Sequence, residues 1–175
     1  MNGNSHILYS ASVGSMIALN LDTISKTLPN IESNQYTATL FIMGGLIGGI
    51  FPDIDNPNSY MGKLTLPVSK IIGKASRFLG KGGSHHRGIF HDSTIYLIGL
   101  VLCYFYFPPL CGMMLGCLSH VILDMFNPMG TPFLFGLKHI RLGTINAGSR
   151  QGRVITLLLC SANLIIGIYC YFYFR

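Results

Sequence analysis

Residues 84–92 read SHHRGIFHD, which places three of the chain's six histidines, His85, His86 and His91, and one of its six carboxylates, Asp92, within nine positions. Two more carboxylates, Asp53 and Asp55, stand two apart in FPDID, and SHVILD sets His120 four residues before Asp124. A further histidine, His6, lies near the start. Imidazole and carboxylate are the donors that zinc, manganese and iron accept, and the lack of thiolates beside them argues against a structural zinc knot. Each motif has a plainer reading: PDID as a capped turn, HxxxD as a satisfied buried pair, the histidine cluster as a pH sensor, His6 as an interfacial residue. Their joint occurrence favours metal binding. His139 has no acidic neighbour and reads as a surface or headgroup-contacting residue.

The elements that must position these groups are apolar. The chain has 175 residues, enough for a single domain over 1–175, with 50% hydrophobic and 10% charged residues and a mean hydropathy of +0.48. That composition predicts an integral membrane protein rather than a soluble globule. The net charge of +6 could suit nucleic acid, but the basic residues accompany long apolar runs and no nucleic-acid motif. Membrane lipids with anionic headgroups are the expected partners, and no nucleic acid is expected. Five cysteines without CxxC spacing exclude a disulfide framework and a zinc ribbon. The N-terminal stretch lacks the basic region and cleavage site of a secretory signal, so the segment from His6 is expected in the mature protein.

Five apolar stretches, about 6–20, 38–52, 93–107, 109–126 and 154–174, predict an all-α, polytopic membrane helical bundle. Only the last has full spanning length, since a bilayer core asks for about 20 residues. GGLIGG at 44–49 permits close helix approach. Pro108-Pro109 splits 93–126 into a helical hairpin, because proline lacks the N–H that a helix interior needs. Lys63, Lys70, Lys74, Arg77, Lys81 and Arg87 fall between the second and third stretches, and Lys138, Arg141, Arg150 and Arg153 between the fourth and fifth. The bias of basic residues toward the cytoplasm puts both connections, and the N-terminus, on that side. Lys70, Lys74, Arg77 and Lys81 recur at helical spacing among apolar residues, which suits an amphipathic helix along the headgroups or packed on the domain. In this topology every candidate donor sits at or near a cytoplasmic helix end.

Taken in order, the histidine ahead of a small-residue helix, PDID, HHRGIFH and HVILDMFNPMGTPFLFG resemble the YdjM-like group of bacterial inner-membrane metal-dependent hydrolases. The resemblance runs from His6 to about Gly148. A looser similarity links the helical His and Asp arrangement to the zinc-dependent phospholipase C and nuclease fold. The resemblance implies metal binding by His6, Asp53, Asp55, His86, His91, His120 and Asp124, and location in the bacterial inner membrane. His85 and Asp92 depart from the group's usual pattern, in which HR is followed by a histidine and then often a serine; Asp92 takes that last place. Met129 replaces an aromatic residue after the proline of NPMG, a change that touches packing.

The chemistry expected is hydrolysis at the membrane surface by a divalent metal, zinc first and manganese or iron as alternatives, with one or more ions activating a water. Arg87 would clamp a phosphate oxygen, and Asp55 or Asp92 would serve as general base. A phosphoester, including a lipid headgroup, follows from the basic face. Asn127, Pro128, Gly130, Thr131 and Pro132 read as a rigid, breaker-rich exit from the fourth helix, a loop that covers the site or merely ends the span. The rival reading is a non-enzymatic metal-binding protein or transporter, but transport calls for polar residues continuing to the opposite leaflet, and the outer halves of the apolar stretches, such as LIGLVLCYFYF, offer no ionisable ladder.

Overall fold

The computed structural model describes residues 3–79, 89–146 and 148–174. Its helices are α1 (Gly3–Leu19), α2 (Leu21–Thr27), α3 (Gln35–Gly48), α4 (Tyr60–Leu64), α5 (Leu66–Leu79), α6 (Ser93–Tyr106), α7 (Cys111–Met125) and α8 (Arg150–Tyr173). Two short strands, β1 (Thr131–Phe133) and β2 (Lys138–Ile140), pair antiparallel with Pro132 opposite His139. The chain is an all-α membrane protein, and the five expected apolar stretches correspond to α1, α3, α6, α7 and α8.

Among the described residues three helical stretches are long and apolar enough to cross a membrane: Gln35–Asp55, Pro108–Met125 and Arg150–Tyr173. The α1 and α2 helices pass together as a fourth, bent by 71°. With 14 residues, α6 is shorter, because Asp92 starts it and Pro108 ends it. Pro108 opens a short 3-10 turn, Pro108–Leu110, from which α7 departs to pack back on α6.

Small residues set the centre of the bundle, where α1, α3 and α7 meet. A side chain on Gly44 would lie 2.6 Å from the Met113 amide nitrogen, and one on Gly45 would lie 2.6 Å from the Ser10 carbonyl oxygen. The backbones therefore touch, and Ser10 Oγ uses the proximity to donate to the Gly116 carbonyl at 3.1 Å. Such contacts hold helices together where lipid removes the hydrophobic drive for association. At Gly48 an added Cβ would collide with the Met113 carbonyl and stand 2.7 Å from the Cys117 nitrogen. Gly48→Ala is expected to lower stability in detergent by about 1–3 kcal/mol, the usual penalty of overpacking. An unchanged unfolding midpoint would refute this close approach.

Along α1, α8 is tied by two hydrogen bonds, Asn163 Nδ2 to Ser12 Oγ at 3.0 Å and Asn20 Nδ2 to the Gly167 carbonyl at 3.0 Å. Its other face exposes Leu157, Leu158, Leu164 and Ile165, as a lipid-facing helix does. One apolar cluster, Leu21, Ile31, Phe41, Cys103 and Cys111, closes the half of the bundle that holds the α1–α2 bend. A second, Tyr96, Cys117, Val121 and Met125, lies toward the other end. All five cysteines are free thiols.

Against the turn that follows α3, α5 turns its small residues inward. Ser69 and Gly73 are buried, whereas Leu64, Val68 and Ile71 are exposed. The described apolar face of this amphipathic segment thus points away from the bundle.

Candidate metal centre

Four segments deliver donors to one end of the bundle. His6 lies in the first turns of α1. After α3 the chain tightens into a 3-10 turn, Phe51–Asp55, where Pro52 supplies no N–H to continue a helix, and this turn presents Asp53. Another 3-10 turn, Ile89–His91, ends on His91 immediately before α6. On α7 the four-residue spacing puts His120 and Asp124 on one face. His6, His91, His120 and Asp124 are buried, while the Asp53 side chain keeps 28% of its surface exposed and marks the open side.

The donors converge at distances of 3.4 to 3.9 Å. His6 Nε2 lies 3.4 Å from Asp124 Oδ1, and His91 Nε2 lies 3.4 Å from Asp53 Oδ1 and 3.8 Å from Asp124 Oδ2. His120 Nε2 stands 3.9 Å from both Asp53 Oδ1 and Asp124 Oδ2. Two ligands about 2.0–2.1 Å from one tetrahedral ion stand ~3.4 Å apart. Two triads, His6–His120–Asp124 and Asp53–His91–His120, each hold their donor atoms within 4.8 Å of one another, and His120 belongs to both.

The ring of His120 is fixed from behind. Its Nδ1 lies 2.7 Å from the Gly49 carbonyl oxygen, an acceptor, so Nδ1 carries the proton and Nε2 presents its lone pair. That Nε2 is fully buried and has no hydrogen-bond partner among the described residues. A buried imidazole nitrogen aimed between two carboxylates and left without a donor fits a cation. The His6 ring stacks on it at 3.8 Å and 17°, and the His91 ring meets it edge-on at 5.5 Å.

Supporting contacts are specific. Asn127 Nδ2 donates to Asp124 Oδ1 at 2.8 Å, and Tyr96 Oη donates to the Phe90 carbonyl at 2.6 Å, which anchors the turn that carries His91. Ser59 Oγ donates to the Asp53 carbonyl at 2.7 Å. Burial alone pushes the His91 imidazole down, but the adjacent Asp53 carboxylate and the charges of Asp124 and Asp55 outweigh it and leave the group above its ordinary value.

Of the sequence candidates, the structure brings together His6, Asp53, His91, His120 and Asp124. Asp55 closes the same 3-10 turn as Asp53 and lies outside both triads. Asp92 is buried with both oxygens engaged by backbone: Oδ1 accepts from Thr94 N at 2.9 Å as the cap of α6, and Oδ2 accepts from Gly136 N at 2.8 Å. His85, His86 and Arg87 lie outside the described residues. Sequence reasoning missed the Gly49 carbonyl, which no side-chain pattern can announce. It also passed over Asn127 as a partner of Asp124, although the three-residue spacing past a helix end was a usable signal.

A family model described as YdjM inner membrane protein matches residues 1–173. The chain is 35% identical over 94 residues to the inner membrane protein YdjM of Escherichia coli (strain K12), a match covering 49% of this chain and 44% of that one. The inner membrane protein YdjM of Shigella flexneri matches with the same identity and coverage. The matched segment thus spans less than half the length of these relatives. No solved structure matches the chain significantly.

Proposed function

The chain belongs to the YdjM inner membrane protein family, and from that premise we propose that it is a metal-dependent hydrolase of phosphoesters, with a lipid headgroup phosphate as the favoured substrate. His6, Asp53, His91, His120 and Asp124 would hold the ion, zinc first, with manganese or iron as alternatives. The observation that carries this reading is the buried, partnerless Nε2 of His120, held by Gly49 and aimed among the carboxylates.

When bound, such an ion supplies Lewis acidity, bringing the pKa of a water toward about 7 and polarising the phosphorus–oxygen bond to be broken. Asp55 takes the water proton, because Asp92 is committed to two backbone amides and Asp55 stands two residues beyond a donor. Partly exposed Asp53 lies on the side from which substrate enters. Arg87 keeps its role as the proposed phosphate clamp.

Passage of metal across the membrane is the weaker reading. Among the described residues the far half of the bundle closes on Leu21, Ile31, Phe41, Cys103 and Cys111, which offers no ladder of imidazoles and carboxylates. The centre faces the cytoplasm in this proposal, because Lys63, Lys70 and Lys74 on α4 and α5, and Arg150 and Arg153 on α8, gather at its end of the bundle.

The test is turnover of phosphodiester and phospholipid substrates by untagged, metal-loaded protein, with and without chelator. Asp55→Asn is expected to retain metal while losing about 10²–10⁴-fold in rate, the range typical of a general base. A loaded parent protein without turnover on any phosphoester would refute the hydrolase reading.

A further inference from the structure

Between α7 and α8 the chain makes the β1–β2 hairpin, whose tip is Leu134-Phe135-Gly136-Leu137. Leu134 and Phe135 adopt φ of 53° and 54°, left-handed backbone that bulky side chains disfavour, and Gly136 follows at 80°. Ordinary turns put Asn, Asp or Gly in such positions. Here two apolar residues are held there by specific pins: Leu134 N donates to Thr94 Oγ1 at 2.8 Å, and Gly136 N donates to Asp92 Oδ2 at 2.8 Å. The pins stand on either side of Phe135 and fix it outward, 64% exposed, next to Leu137 at 83%. Among the described residues neither side chain belongs to an apolar core cluster.

Position and charge identify what covers them. The hairpin leaves α7 where that span ends and leads to Arg150, where the longest span begins, so it lies at the membrane boundary. Lys138, His139 and Arg141, all exposed, follow the apolar tip directly. An apolar tip followed by a row of exposed cations suits the layered order of an anionic leaflet, with acyl chains beneath negative headgroups. At the same end, exposed Leu64, Val68 and Ile71 accompany exposed Lys63, Lys70 and Lys74, a second surface of the same kind.

We propose that the hairpin tip is an interfacial wedge: Phe135 and Leu137 insert into the leaflet on the metal-centre side, and Lys138, His139 and Arg141 bind anionic phospholipid headgroups. Because Asp92 follows His91 directly, the pin also ties the depth of the wedge to the rim of the metal centre. The inference does not depend on hydrolysis and can hold if that reading fails.

The chain contains no tryptophan, so Phe135→Trp gives the protein a single tryptophan, excited selectively at wavelengths that tyrosine does not absorb. The variant is reconstituted in vesicles of phosphatidylethanolamine and phosphatidylglycerol. Its emission is expected to be blue-shifted and quenched more strongly by lipids brominated near the headgroup than by aqueous iodide, as for a side chain about 5–10 Å into the boundary. Leu137→Trp should report the same, and Leu164→Trp on the lipid face of α8 provides the standard for deep burial. Solvent-like emission from both hairpin variants, quenched by iodide and untouched by brominated lipid, would overturn the proposal. Shallow lipid quenching of either supports it.

Discussion

His120→Gln is expected to leave the protein without bound divalent metal, the largest single effect the centre allows. His120 is the donor common to both triads, and its Nδ1 bond to Gly49 orients Nε2 without any rearrangement on binding. Glutamine keeps polarity and approximate volume but cannot supply an imidazole lone pair at the same point. The fold should survive, because the small-residue contacts of α1, α3 and α7 do not involve this side chain. Metal at 100 times its Kd stabilises a binding protein by about 2.7 kcal/mol, so the parent should show a metal-dependent rise in unfolding midpoint and the variant none. Metal content by mass spectrometry and a melt with and without chelator check both halves. A variant that keeps the parent's metal and its midpoint shift would remove His120 from the ligand set.

Asp124→Asn is the second large effect. Its two oxygens reach His6, His91 and His120 at 3.4 to 3.9 Å, so one carboxylate borders three imidazoles. Asparagine keeps one oxygen that can still accept from Asn127 Nδ2, but it removes the charge that offsets a dication. Metal affinity is expected to fall by more than the roughly 10–100-fold typical of losing an outer-shell partner. Asn127→Ala provides that outer-shell comparison within the same site and should fall inside the range. Equal affinities for Asp124→Asn and Asn127→Ala, measured by competition with a metal indicator, would mean that Asp124 acts only through its neighbours.

Much of the scaffold was legible because its signals are local. Long apolar runs marked α1, α3, α6, α7 and α8, and Pro108-Pro109 marked the break between two of them. GGLIGG announced close packing, although not which helices would touch. The convergence of His6, Asp53, His91, His120 and Asp124 followed from topology, since each motif sat beside an apolar stretch and alternate spans return to one side. Other features depend on partners distant in sequence. The β1–β2 hairpin owes its shape to Thr94 and Asp92, some forty residues away, so residues 127–132 read as a breaker-rich exit that covers the site or ends the span, without a hairpin. Asp92 was expected as a candidate general base, but it caps α6 instead, its oxygens taken by the Thr94 and Gly136 amides. The face of α5 was open, since periodicity reveals that a helix is amphipathic and not what each face meets. Ser69 and Gly73 turn inward because only small residues fit against the Asp53–Asp55 turn, where a Cβ on Gly73 would lie 2.5 Å from the Asp55 carbonyl oxygen.

The central claim is that imidazole and carboxylate groups from four separate segments close around one divalent ion. X-ray absorption at the metal edge, on untagged protein purified from its own membrane, tests it most directly. The predicted result is a shell of nitrogen and oxygen at about 2.0–2.2 Å with histidine outer-shell scattering and no sulfur, because none of the five cysteines belongs to either donor triad. Sulfur at about 2.3 Å, or protein that takes up no divalent metal at all, would contradict it.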